Sequence, residues 1–149
     1  MQTTKESAGV HLWLLLWKAH AALFTFAERS IECLGLGNSD FRILEALLHK
    51  GPLSVNALCP VAQLTPGSVS VAVDRLEQKG YVERRFDPGD RRARIVHLTP
   101  AGRPVIEQAF AKHAEAMDLA TAGLTAEEKS EATRLLRKLG KGAAEKLSR

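Results

Sequence analysis

The stretch Leu64-Thr65-Pro66-Gly67-Ser68-Val69-Ser70-Val71-Ala72-Val73-Asp74-Arg75-Leu76-Glu77-Gln78-Lys79-Gly80 decides the fold. Thr65 is a natural N-cap, and Pro66 falls at the first helical position, where its missing N–H costs nothing. Gly80 stops the helix after Gln78 or Lys79. At about 100° per residue from Val69, the side chains of Ala72, Val73 and Leu76 fall within about 60° of it and make a core face. Gly67, Val71, Asp74 and Gln78 lie opposite, flanked by Ser68 and Arg75, with Ser70 at the other edge. Small residues at the N-terminal end admit close approach to a duplex, hydroxyls donate to phosphates or bases, and an arginine can address guanine or phosphate. A solvated surface helix carries a similar face, so the neighbouring segments have to decide.

On the N-terminal side, a short segment from Ser54 has Val55, Leu58 and Ala62 apolar, which gives two short helices joined by a tight turn. Pro60 falls inside the first of them and is expected to kink it or end it early, because proline removes a backbone bond. On the C-terminal side, Tyr81-Val82-Glu83-Arg84-Arg85-Phe86, then Asp87-Pro88-Gly89-Asp90, then a basic run into Ile95-Val96-His97-Leu98 reads as strand, turn, strand. Arg84, Arg85, Arg91, Arg92 and Arg94 surround that turn. Guanidinium groups at the end of a narrow hairpin can enter a minor groove while the preceding helix occupies the major groove. The competing reading is that Glu83, Asp87 and Asp90 neutralise them in surface ion pairs. Helix-turn-helix and basic hairpin together point to double-stranded DNA.

The rest of the chain is helical. From about Ser7 to Leu34, apolar residues surround much of a helix that Gly35-Leu36-Gly37 stops. Asn38 or Ser39 is expected to cap the next helix, whose Phe41, Ile43, Leu44, Leu47 and Leu48 form an apolar stripe that ends at Gly51-Pro52. Thr99-Pro100 repeats the cap-plus-proline start for a fifth helix, and Thr125 with Glu128 forms a capping box for a sixth. The first helix, and the last with Leu135, Leu136 and Leu139, expose more apolar surface than one subunit can cover.

With 149 residues, 45% hydrophobic and 26% charged, the chain has the composition of a globular protein, and its net charge of +4 favours a polyanionic partner. The apolar stretch Val10–Phe26 is interrupted by His11, Lys18 and His20, and falls short of the roughly 18 uncharged residues of a membrane span. Its purely apolar run, Leu12–Trp17, is too short for a secretory signal. Cys33 and Cys59 form no CxxC, so a reducing cytoplasm is expected, and His11, His20, His49, His97 and His113 show no ligand spacing for a metal. There is no GxSxG, Walker loop or HExxH, and neither an enzyme nor a cofactor is expected.

Leu64-Thr65-Pro66-Gly67-Ser68-Val69-Ser70, Asp74-Arg75-Leu76, and Asp90-Arg91-Arg92 leading to Leu98-Thr99 resemble the MarR family of bacterial regulators, the last matching the D-x-R-x5-L-T wing signature. The resemblance implies a mainly α winged helix-turn-helix fold with a small β-hairpin wing and N- and C-terminal dimerisation helices. The whole of 1–149 would be one domain, with a DNA-binding lobe at 36–100 and a helical dimerisation region at 1–35 and 101–149. It further implies a homodimer on a pseudo-palindromic operator, acting as a repressor released by a small, often phenolic or aromatic, effector. DNA contacts are assigned to Thr65, Pro66, Gly67, Ser68, Ser70, Val71 and Arg75, and in the wing to Arg84, Asp90, Arg91, Arg92 and Arg94. Trp13, Trp17, His20, Phe24 and Arg42 are the effector-binding candidates. A redox-responsive regulator acting through Cys33 or Cys59 is one alternative, although neither stands in the early first-helix position used by the peroxide-sensing branch. A winged helix that docks protein instead of DNA is the other.

Overall fold

The structure, a computed structural model, describes residues 7–148; the outermost ends of the ranges above, 1–6 and 149, lie outside it. Six helices and three strands follow in the order α1 (Ala8–Glu32), α2 (Asn38–Lys50), β1 (Leu53–Ser54), α3 (Val55–Ala62), α4 (Pro66–Gln78), β2 (Val82–Phe86), β3 (Arg94–Leu98), α5 (Gly102–Ala120) and α6 (Ala126–Leu147). The chain divides into two compact units, one through Met117 and one from Asp118.

The core of the first unit is the stripe of α2 (Phe41, Ile43, Leu44, Leu47) packed against Leu58 of α3, the Val69, Ala72, Val73 and Leu76 face of α4, Val82 and Val96 of the sheet, and Ile106 of α5. All four α4 residues of the expected core face are fully buried. Antiparallel strands run in the order β1-β3-β2, with Arg84 opposite Val96 and Phe86 opposite Arg94. The hairpin is as expected; β1 is not, because its two residues are too few to show alternation. It pairs Leu53 with Val96 and so closes the sheet onto the helix-turn-helix.

Three local expectations are corrected. Neither Asn38 nor Ser39 caps α2: Gly37 is the N-cap, Asn38 is already helical, and the Ser39 hydroxyl instead accepts from Arg75. Pro60 does not end α3, which runs on to Ala62 before Gln63 turns left-handed at φ 52°; the carbonyl that proline leaves unpaired belongs to exposed Asn56 and can be hydrated. Pro100 lies in a turn ahead of α5, which begins at Gly102, although the Thr99 hydroxyl does accept from the Gly102 N–H at 3.0 Å.

Two histidines join α5 to its neighbours. His113 lies 3.0 Å from the Ser30 hydroxyl of α1 and packs on Phe41, and His49 of α2 meets Phe110 edge-on. Most of α1 is nonetheless exposed, with Trp13 at 60% and Trp17 at 61%. Its best 18-residue window has a mean hydropathy of 1.3, so by length and composition it does qualify as a candidate span, contrary to the expectation from the interrupted apolar run. In the second unit, the Thr125–Glu128 capping box is formed, and Leu135, Leu136 and Leu139 of α6 are exposed.

Gly102 is the one glycine whose missing side chain is demanded by close approach: a Cβ there would stand 2.1 Å from the Tyr81 carbonyl oxygen. Because the obstacle is backbone, Gly102→Ala is expected to destabilise by about 1–3 kcal/mol, lowering the thermal midpoint by several degrees. An unchanged melting curve would show that α5 can move off the wing without cost.

Candidate DNA-binding interface

The reading helix, α4, is started by Thr65, whose Oγ1 accepts from the Ser68 N–H at 3.2 Å and donates to the Ser68 hydroxyl at 2.9 Å. Pro66, Gly67, Ser68, Ser70 and Val71 are exposed, and nothing lies within 4 Å of the position a Gly67 Cβ would take. The N-terminal half of the outer face is therefore open, as a helix entering a groove requires.

The C-terminal half is occupied. Arg75, expected to reach a base, is held by Asp40: its Nε donates to both carboxylate oxygens at 3.0 and 3.1 Å, and its Nη2 donates to Asp40 and to Ser39. Lys79 adds a longer contact to Asp40 at 3.6 Å. Asp40 is only 1% exposed, so its charge has to be met inside the fold. The hydrogen bond to Asp40 raises the Arg75 pKa above its already high ordinary value, and the guanidinium stays charged. Arg75 is thus a strut between α4 and α2, with its Nε and Nη2 committed to Asp40 and Ser39.

Arg84 also has an internal role. It bridges β2 to α4 through Asp74 at 2.5 Å and Glu77 at 3.2 Å. It neutralises two exposed carboxylates of α4 and ties the wing to that helix.

The wing turn is built by its acids. The Asp87 carboxylate accepts from the Gly89 N–H and the Asp90 carboxylate from the Arg92 N–H, both at 2.9 Å. Glu83 pairs with Arg85, and Arg94 stacks 3.6 Å over the Phe86 ring. Of the three acids in the competing ion-pair reading, only Glu83 neutralises an arginine. Arg91 and Arg92 are exposed and, among the described residues, make no ion pair.

The effector candidates are not brought together as one site. Trp13, Trp17 and His20 line a shallow apolar hollow on α1 with Leu16, and Phe24 stacks on His20. Arg42 belongs to a separate open cleft of about 380 Å³ between α2 and α3, with Glu45, His49, Lys50, Val61 and Gln63. Cys33 is exposed at the end of α1, whereas the half-buried Cys59 donates its thiol to the Val55 carbonyl, so the two form no disulfide. No three His, Cys, Asp or Glu side chains gather to hold a metal among the described residues.

Comparison with known proteins agrees with this geometry. A MarR family model matches residues 34–93. The HTH-type transcriptional regulator MhqR of Bacillus subtilis is 30% identical over 135 residues, which cover 91% of this chain and 93% of that protein. The chain belongs to the MarR family. Among solved MarR-type structures, Sco3205 from Streptomyces coelicolor in complex with DNA superposes with a TM-score of 0.80 at 25% identity, covering 92% of each chain. Bordetella bronchiseptica BpsR, whose DNA binding is regulated by 6-hydroxynicotinic acid, gives 0.78 at 25% identity, covering 87% of this chain and 98% of its own.

Within this MarR-family lobe, sequence reasoning missed Asp40. The available signal was a carboxylate standing on the same helical face as Leu44 and Leu47, where only a paired charge is tolerated. Asp40→Asn and Arg75→Ala are each expected to cost about 1–3 kcal/mol, a value kept below that of a fully buried pair because Arg75 is 42% exposed. In denaturant melts the double variant should lose less than the sum of the singles by about 1 kcal/mol. Strictly additive losses would mean that the pair contributes nothing.

Proposed function

We propose that this protein is a cytoplasmic homodimeric repressor that binds double-stranded DNA through α4 in the major groove and through Arg91 and Arg92 of the wing in the minor groove. The observation that carries the reading is the division of charge on the lobe. Asp40, Asp74, Glu77 and Glu83 are matched by internal cations and Asp87 and Asp90 are bonded to backbone N–H groups, while Arg91 and Arg92 project from the wing turn without an ion pair among the described residues. Thr65, Pro66, Gly67, Ser68, Ser70 and Val71 make the major-groove surface; Asp90 shapes the wing and Arg94 braces it. The DNA complex of Sco3205 supports this use of the fold.

Titration against the DNA upstream of the protein's own gene, and against random duplex, tests the reading. Specific binding that weakens steeply with salt is expected, and Arg92→Ala should reduce the slope of log K against log salt by about one to two per dimer while leaving the dimer intact. Equal, salt-insensitive affinity for both duplexes would favour a protein-docking role. The exposed apolar faces of α1 and α6 supply the dimer surface, so sedimentation should report a dimer at micromolar concentration.

We assign effector binding to the Arg42 cleft, where Arg42, His49 and Lys50 can meet a carboxylate and Val61 offers apolar surface beside Gln63, the residue that turns the chain towards the reading helix. BpsR, regulated by an aromatic acid, supports this ligand class. A panel of hydroxylated aromatic acids should include one that releases DNA from the wild type at least tenfold more readily than from Arg42→Ala, with DNA affinity itself unchanged. Equal release from both would place the effector elsewhere.

A further inference from the structure

We infer that Val71 selects a thymine in each operator half-site by packing on its 5-methyl group; the inference rests on the DNA-binding reading above. Val71 is 59% exposed on a helix whose other branched aliphatic residues, Val69, Val73 and Leu76, are fully buried. It stands in the middle of the open face, one turn after Gly67, where no side chain rises to shield it. Two longer polar groups that could outcompete it are engaged elsewhere, Asp74 by Arg84 and Arg75 by Asp40, while the Ser68 hydroxyl accepts from Thr65 and keeps its own proton for the duplex. With Arg75 withdrawn into its ion pair, Val71 becomes the longest free side chain in the reading half of α4.

A valine offers no hydrogen bond, so it cannot read the donor and acceptor pattern of a base edge. The thymine methyl is the apolar group that base pairs present in the major groove, and it is the group an exposed isopropyl can desolvate against. A serine or asparagine at this position would have tolerated any base with a reachable donor or acceptor. Ser70, exposed and with a hydroxyl that makes no hydrogen bond among the described residues, stands next to Val71 and is free to address the neighbouring base or phosphate.

The test removes only the methyl. Operator sequences are enriched from random duplexes with the full-length protein, and each thymine is then replaced by deoxyuridine symmetrically in both half-sites. At one symmetric position the wild type should lose about fourfold in affinity per half-site, the worth of one buried methyl. Val71→Ala should lose that sensitivity while keeping the wild-type melting curve, and Val71→Thr, which retains one methyl, should keep part of it. Deoxyuridine tolerated at every position, or an undiminished penalty in Val71→Ala, would overturn the inference and leave the DNA-binding reading standing. Failure to enrich any sequence would instead overturn both.

Discussion

A carboxylate placed on the buried stripe of α2 constrains much of the lobe. Asp40 cannot be left unpaired at 1% exposure, and the cations that satisfy it, Arg75 first and Lys79 at longer range, both come from the end of α4 and the residue after it. A hydrophobic face alone would hold α4 against α2 with some freedom to slide or roll, because apolar contacts are weakly directional. A forked guanidinium on a fixed carboxylate is directional. It sets the rotation of the reading helix, and with it the residues that face outward.

The same logic extends to the wing. Arg84 links β2 to Asp74 and Glu77, so the sheet and the reading helix are joined by ion pairs on one side and by Val82 and Val96 in the core on the other. Gly102 lets the chain after the wing pass against Tyr81, and the Thr99 hydroxyl binds the Gly80 carbonyl. Each acid in the region has a structural duty. Arg91 and Arg92 at the wing tip make no ion pair among the described residues, so a polyanion can meet them without first breaking one.

The elements themselves were legible in the sequence because punctuation and periodicity agreed: Thr65-Pro66 and Gly80 bound a helix whose buried face could be counted off residue by residue. The hairpin was legible from its turn residues and β-rich flanks. What could not be read was pairing across distance. Asp40 and Arg75 are 35 residues apart, and no local pattern says that an arginine at the edge of an outer face will turn back to a carboxylate on another helix. The pairing of Arg84 with Asp74 and Glu77 is hidden for the same reason, since arginines near a turn look alike until their partners are placed. The short strand β1 and the survival of α3 beyond Pro60 likewise depend on tertiary packing and solvent access. Within one subunit the aromatic cluster of α1 and Arg42 line different hollows, which no sequence pattern distinguishes.

In the proposed complex one subunit presents α4 to a major groove and its wing to the adjacent minor groove, and two subunits do so on one duplex. Dimethyl sulfate footprinting on an enriched operator tests it most directly, since the reagent marks guanine N7 in the major groove and adenine N3 in the minor groove. Two patches of guanine protection are expected about one helical turn apart, roughly 34–36 Å, each accompanied by adenine protection in a neighbouring minor groove that disappears in the Arg91→Ala/Arg92→Ala variant. A single protected patch, or adenine protection that survives loss of both arginines, would contradict it.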